Sequence, residues 1–159
     1  MATPITLIGA PTDIGASRLG AAMGPDALRV AQLGEALAQL GCDVRDHGNL
    51  AGPPNPRGER DAASGLRNFA QVVAWCRSVH DAVHQVLRQQ RLPMMLGGDH
   101  SVAVGSISAV ARHCRAAGKR LRVIWLDAHA DFNTPATSPS GNAHGTPVAS
   151  LCGLGPREL

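Results

Sequence analysis

Aromatic side chains are scarce in this sequence, and lysine is almost absent. The 159 residues include two Phe, two Trp and no Tyr, and Lys119 is the single lysine. The net charge is +3, and the arginines are scattered along the chain rather than gathered into one patch. Nucleic-acid-binding proteins need a basic surface and often aromatic rings on which bases stack. The composition therefore argues against a nucleic-acid partner.

Long apolar runs are missing as well. No uncharged apolar run approaches the ~20 residues that a membrane span needs, and the opening MATPITLIGA lacks the basic residues and small-residue cleavage site of a secretory signal. We therefore expect a cytoplasmic protein without a membrane partner. The length fits one domain, and 44% hydrophobic against 17% charged residues is a globular composition.

The four cysteines stand far apart, at positions 42, 76, 114 and 152, and none belongs to a CxxC pair. Without a secretion signal, free buried thiols are a better expectation than disulfides. A structural zinc site built from cysteine is not supported.

Apolar residues alternate between strand-like runs and helical spacing along the chain. The pattern predicts strands at 4–9, 42–46, 92–96 and 121–126, and helices at 25–40, 68–90, 101–117 and from Pro147 onward. Residues 47–66 contain too much Pro and Gly for a regular element. Strands that alternate with helices predict an α/β protein whose parallel sheet is covered on both faces. In such sheets, ligands bind at the carboxyl ends of the strands.

Two of these strand ends carry histidine and aspartate. The third predicted strand runs into GGDH at 97–100, and the fourth runs into DAHAD at 127–131. Asp127, His129 and Asp131 alternate, so in extended geometry their side chains share one face. Carboxylates crowded in this way raise each other's pKa unless a cation neutralises them. Mixed His and Asp ligands suit Mn, Fe, Zn or Co, so the pattern predicts a divalent metal site.

Plainer interpretations exist for the single residues. Asp127 or Asp99 could cap a helix N-terminus, and His100 could be an ordinary polar residue. His80 and His84 have the i, i+4 spacing of a ligand pair, but without an acidic partner they indicate an exposed helix face. The loop SPSGNAHG at 138–145 could hold a polar ligand or be an unremarkable polar loop.

Taken together, these motifs resemble the ureohydrolase family, and within it the arginases. The matching segments are GGDHS at 97–101, WLDAHAD at 125–131, DFNTP at 131–135, SGNAHG at 140–145, and the shorter GAP at 9–11 and GP at 24–25. The pair GGDHS and DAHxD is typical of ureohydrolases, whereas DFNTP followed by SGNxHG is similar to arginases rather than agmatinases. The resemblance spans nearly the whole chain and is weakest at 50–66.

The resemblance implies a three-layer α-β-α fold with a parallel sheet, as in arginase- and deacetylase-like proteins. It implies a hydrolase with two Mn(II) ions that converts L-arginine and water to L-ornithine and urea. By motif position, His100 and Asp131 would ligate one Mn(II), His129 the other, and Asp127 both. His144 would shuttle a proton to the leaving amine.

Three further residues receive roles from the resemblance. Asn133, Ser138 and Ser140 would bind the α-carboxylate and amino group of the substrate, directly or through water. Family members form trimers or hexamers and are about twice as long as this chain. A second motif of the type SFDxDxxDP, which completes both metal shells, is missing here.

We therefore expect residues 1–159 to be the N-terminal part of a single ureohydrolase domain whose C-terminal half is absent. The family's sheet order, 2-1-3-8-7-4-5-6, would then leave the fourth strand without either neighbour. Two alternatives remain open: an agmatinase or another ureohydrolase acting on a guanidino substrate, and a non-catalytic metal-binding remnant.

Overall fold

The computed structural model, which describes residues 2–159, contains a parallel sheet of three strands. The strands are β1 (Pro4–Gly9), β2 (Asp43–Asn49) and β3 (Leu92–Leu96), in the spatial order β2-β1-β3. The apolar β1 is central and is buried from Ile5 onward, whereas the polar β2 forms an exposed edge. The predicted strands at 4–9 and 92–96 are confirmed, and the predicted strand at 42–46 extends to Asn49.

Five α-helices accompany the sheet: α1 (Gly24–Val30), α2 (Leu33–Gln39), α3 (Phe69–Arg88), α4 (Ala103–Ala116) and α5 (Pro147–Leu151). The single helix predicted over 25–40 is wrong, because Gln32 adopts a left-handed backbone conformation with φ of 61° and interrupts it. This break lets Leu33 and Leu37 of α2 pack on the sheet. Within residues 2–159, no helix has the length and apolarity needed to cross a lipid bilayer.

The two faces of the sheet have separate cores, which gives three layers. Ile5 and Leu7 of β1 point to one face, where they pack with Leu96 and α2. Ile8 points to the other face and belongs to a larger core with the buried side of α3 and with residues of α4. The alternation follows from the strand period of two. The predicted α/β fold with a parallel sheet between helices is confirmed.

The strand predicted at 121–126 does not form. The segment Leu121–Leu126 has no ladder partner in the described part of the chain, and Ile124 and Leu126 are 78% and 90% exposed. A strand needs a neighbour for its N–H and C=O groups, and the three-stranded sheet offers none at this place. The apolar segment therefore has no regular secondary structure in this chain.

All four cysteines are free, as predicted, but only Cys76 is buried, while Cys152 is exposed. Burial raises the pKa of the Cys76 thiol to about 12. Because the thiolate is the reactive form of cysteine, this residue is a core side chain rather than a nucleophile.

Candidate metal centre

The chain leaves β3 through two glycines that allow a close approach to the loop after β1. A Cβ at Gly98 would lie 2.7 Å from the backbone nitrogen of Thr12, so a larger residue would not fit. Directly after it, the N–H of Asp99 donates to the carbonyl of Thr12 over 2.8 Å. This contact holds the start of the next turn beside the carboxyl end of β1.

Asp99 is a structural residue of this turn. It is 5% exposed, and its carboxylate accepts the N–H of Ser101 over 2.9 Å and the N–H of Gly15 over 2.9 Å. The first bond caps the 3₁₀ turn His100–Val102, so the N-cap interpretation holds for Asp99. The contact to Gly15 joins two segments 84 residues apart and has no local sequence signal.

His100 follows Asp99 and lies against an aromatic ring. Its imidazole stacks on the indole of Trp125, with ring centroids 4.4 Å apart and an interplanar angle of 15°. The indole Nε1 is buried and has no hydrogen-bond acceptor among residues 2–159. The stack restricts the orientation of the imidazole, a role for Trp125 that the sequence pattern does not indicate.

Two carboxylates converge on the exposed edge of this imidazole. His100 Nδ1 lies 2.8 Å from Asp131 Oδ2 and 3.1 Å from Asp127 Oδ2. One ligand atom from each of the three residues lies within 4.8 Å of the other two. One imidazole nitrogen and two carboxylate oxygens form a donor set suited to a divalent cation such as Mn(II). Of the four metal ligands expected from the sequence, His100, Asp127 and Asp131 therefore converge in the structure.

His129 does not join this cluster directly. Its side chain is 82% exposed, and its Nδ1 lies 3.2 Å from Asp127 Oδ1, the oxygen that faces away from His100. The expected common face of Asp127, His129 and Asp131 is absent, because residues 127–129 form a bend instead of a strand. His129 is thus linked to the cluster only through Asp127.

The same bend favours the ionised form of Asp127. The backbone N–H of His129 donates to Asp127 Oδ1 over 2.8 Å, and this bond, helped by the side chains of His129 and His100, holds the pKa of Asp127 below its ordinary value against the opposing effect of burial. The turn thereby stabilises a negative charge where a cation would bind.

Asp131 is held by its backbone. Its φ of 47° is in the left-handed region, which Asp tolerates better than most residues. Its carbonyl accepts the N–H of Val148, at the start of α5, over 3.1 Å. α5 therefore fixes the position from which the Asp131 side chain reaches His100.

A cavity of about 520 Å³ opens in front of the cluster. Its walls include all the side chains that the sequence analysis proposed for metal, substrate and proton transfer: His100, Asp127, His129, Asp131, Asn133, Ser138, Ser140 and His144. The chain thus brings the predicted metal residues and the predicted substrate loop to one cavity.

The two serines of the loop are placed to donate hydrogen bonds. Ser138 Oγ accepts the N–H of Gly141 over 3.0 Å, and Ser140 Oγ accepts the N–H of Asn142 over 3.2 Å. A hydroxyl that accepts in this way keeps its own proton for another partner. Both serines line the cavity, so a carboxylate there could accept hydrogen bonds from both hydroxyls.

Known proteins place the chain in a family. The profile of the Arginase family matches residues 3–158. The arginase of Bacillus caldovelox is 44% identical over 152 residues, and the arginase of Bacillus subtilis is 41% identical over 155 residues. The chain belongs to the arginase family. These alignments cover 96% and 98% of this chain but only 50% of each relative, so the chain spans about half the length of the curated relatives it matches.

Solved structures of the family give the same result. The native structure of the Bacillus caldovelox arginase superposes with a TM-score of 0.90 at 43% identity, over 99% of this chain and 51% of that chain. The Entamoeba histolytica arginase, solved in complex with L-ornithine, superposes with a TM-score of 0.87 at 32% identity, over 100% of this chain and 53% of that chain. The three-stranded core is therefore an arginase fold in part.

Proposed function

We propose that the protein acts in the hydrolysis of L-arginine to L-ornithine and urea, and that this chain supplies one part of the site. The observation that carries the proposal is the convergence of His100, Asp127 and Asp131 on one cavity with the loop SPSGNAHG. The relatives named above are arginases, and one of them binds L-ornithine in its crystal structure.

Four side chains would hold two Mn(II) ions. We assign His100 and Asp131 to one ion, His129 to the other and Asp127 to both, because Asp127 contacts His100 through one carboxylate oxygen and His129 through the other. When bound, two such cations would supply a nucleophilic water by lowering its pKa. The protein's own part is to hold the carboxylates of Asp127 and Asp131 beside the imidazole of His100, with ligand atoms within 4.8 Å of one another.

The loop would bind the amino-acid end of the substrate. Ser138 and Ser140 keep their hydroxyl protons free, and the amide of Asn133 lies in the same cavity wall. These donors suit an α-carboxylate, which agmatine lacks, so we propose arginine rather than agmatine. His144, in the same wall, would pass a proton to the leaving amine, since an imidazole can both take and give a proton.

The ligands within residues 2–159 carry too little negative charge to balance two Mn(II) ions. A pair of Mn(II) ions with a bound hydroxide carries about three positive charges, and Asp127 and Asp131 supply two carboxylates. A hard cation prefers oxygen ligands, so the two histidines do not replace further carboxylates. We therefore expect the chain alone to bind Mn(II) weakly and to release no measurable urea.

The test combines calorimetry with an assay. The purified chain is titrated with Mn(II), and urea release from arginine and from agmatine is measured for the chain alone and for the chain mixed with the separately produced complementary half of the Bacillus caldovelox arginase. We expect weak Mn(II) binding alone, urea from arginine in the mixture, and loss of both in Asp131→Asn. Asp81→Asn, an exposed aspartate of α3, is the matched control.

The other outcomes separate the alternatives. Two tight Mn(II) sites with urea release by the chain alone would show that its ligands suffice. Turnover of agmatine in place of arginine would favour an agmatinase. Mn(II) binding that is unchanged in Asp131→Asn, together with an inactive mixture, would indicate a non-catalytic protein.

A further inference from the structure

We infer that Arg60 and Arg67 are positioning residues that hold the backbone of loop 138–141 in the shape that presents Ser138 and Ser140 to the cavity. This inference rests on the proposed function for the meaning of that loop. The contacts themselves are independent of any metal or substrate.

The two arginines bind consecutive carbonyls of the loop. Arg60 Nη2 donates to the carbonyl of Ser138 over 2.7 Å and to that of Pro139 over 3.0 Å. Arg67 Nε donates to the carbonyl of Ser140 over 3.0 Å, and the backbone N–H of Arg67 donates to the carbonyl of Gly141 over 2.8 Å. Four successive carbonyls are thus held by two residues.

A tight turn places the arginines side by side. Arg60 and Arg67 form an antiparallel bridge, which is closed by a bond of 2.9 Å from the N–H of Asp61 to the carbonyl of Leu66. Leu66 is fully buried in the core beside α3. The turn is therefore anchored in the core, and it can hold the loop at a set distance from that core.

Both guanidinium groups donate to the loop, and that of Arg67 also donates through Nη1 to the carbonyl of Gly58 over 3.3 Å. Among residues 2–159, neither Arg60 nor Arg67 has a carboxylate partner, although a surface arginine commonly pairs with one. Gly141, with φ of 71°, lies directly under Arg60, and a Cβ at this position would collide with the guanidinium. Arg60 can therefore approach the loop backbone closely because residue 141 is a glycine.

The contacts of the two arginines also determine where the hydroxyl groups of Ser138 and Ser140 lie. Ser138 and Ser140 each accept a hydrogen bond from a backbone N–H two or three residues further along the loop. These two bonds depend on the backbone conformation that the arginines maintain. A loop without regular structure has many conformations of similar energy, so external donors are needed to select one. Arg60 and Arg67 supply those donors.

Hydrogen–deuterium exchange of the chain, read by mass spectrometry, tests the inference. Arg60→Met and Arg67→Met keep most of the side-chain length and remove the guanidinium donors, while the backbone N–H of residue 67 stays in place. Peptides covering 138–145 should therefore exchange roughly ten- to a hundredfold faster than in the wild type. Peptides of β1 and α3 should be unchanged. Arg60→Lys and Arg67→Lys, which restore a donor, should recover most of the protection.

Arg57→Met is the matched control, because Arg57 lies in the same segment and its side chain makes no hydrogen bond to the loop in the described structure. Unfolding midpoints in urea identify variants whose exchange rises everywhere through a global loss of stability. Unchanged exchange at 138–145 in both Met variants, uniform acceleration across the chain, or failure of the Lys variants to restore protection would overturn the inference. Because neither Mn(II) nor arginine is used, the result is independent of whether urea is released.

Discussion

Contacts with the backbone or with a neighbouring ring position the individual side chains around the cavity. Asp127 is held by the N–H of His129, and Asp131 by its carbonyl's bond to Val148. The imidazole of His100 is oriented by the ring of Trp125. Alternation along 127–131 predicted one shared face, but the bend at 127–129 turns His129 outward, so that it reaches the cluster only through Asp127.

The loop serines give a prediction at this scale. In the complemented assay, Ser140→Ala should raise the KM for arginine about ten- to a hundredfold and affect kcat less, because a hydrogen bond to a charged carboxylate contributes roughly 1.5–3 kcal/mol. Asn133→Ala should act in the same direction. Steady-state urea release over a range of arginine concentrations measures both constants.

Ser106→Ala is the control for this comparison, since Ser106 Oγ donates to a carbonyl of its own helix region, that of Ala103. Its KM should equal that of the wild type. A KM that stays unchanged in both Ser140→Ala and Asn133→Ala would remove the case for arginine over agmatine.

At the scale of elements, an ion-pair network joins α1 to the edge strand β2. Arg29 binds both carboxylate oxygens of Asp46, through Nε over 2.7 Å and through Nη2 over 2.9 Å, and it also donates to Asn49 over 2.6 Å. The bond to Arg29, with the N–H of Gly48 as a smaller contribution, lowers the pKa of Asp46. The Asp46 side chain is 41% exposed, so solvent screens much of this interaction.

Asp46→Asn should therefore lower the free energy of unfolding at pH 7 by about 0.5–1 kcal/mol. Since the pKa of Asp46 is lower in the folded chain than the unfolded value of about 3.9, its stabilisation is complete above that value and is lost as the pH falls through the folded pKa. The difference between wild type and variant should shrink below about pH 4.

Urea unfolding followed by circular dichroism at pH 7, 5 and 3 measures this difference. Glu35→Gln on α2 serves as the control, because Glu35 forms no ion pair in the part of the chain that the structure describes. A difference that is constant from pH 7 to pH 3 would show that the Asp46 carboxylate charge is not its source.

At the scale of the whole molecule, apolar side chains beside the three-stranded sheet are exposed to solvent in the described residues 2–159. Segment 121–126 exposes Val123 by 47%, Ile124 by 78% and Leu126 by 90%, and it borders a second cavity lined by apolar residues of β3 and α4. Contiguous apolar surface of this kind favours association. The segment also makes no backbone–backbone hydrogen bond within residues 2–159, so its N–H and C=O groups are available for strand pairing.

We expect the isolated chain to self-associate through this segment. Ile124→Lys with Leu126→Lys should shift the population toward monomer in sedimentation velocity at equal concentration, since two charges make burial of the segment costly. Leu40→Lys, at a leucine that is 80% exposed near the end of α2, should change the distribution little. Equal association of all three proteins would contradict the role of 121–126.

Local patterns in the sequence were sufficient for much of this molecule. The apolar runs of β1 and β3, the buried stripe of α3 and the capping role of Asp99 depend on neighbours within a few residues, and periodicity and capping rules describe such neighbours well. The motifs GGDH and DAHAD likewise predicted that His100, Asp127, His129 and Asp131 would meet at the ends of two strands. His100, Asp127 and Asp131 do meet, although the second of those strands does not form in the described part of the chain.

Features that need a partner far away in the sequence were decided only by the tertiary structure. Apolar residues at 121–126 are typical of a strand, but a strand exists only where another strand supplies its hydrogen bonds. The stack of Trp125 on His100 and the contacts of Arg60 and Arg67 with loop 138–141 join residues 25 to about 80 positions apart. No local pattern encodes such contacts, because they arise only when packing of the core brings the segments together.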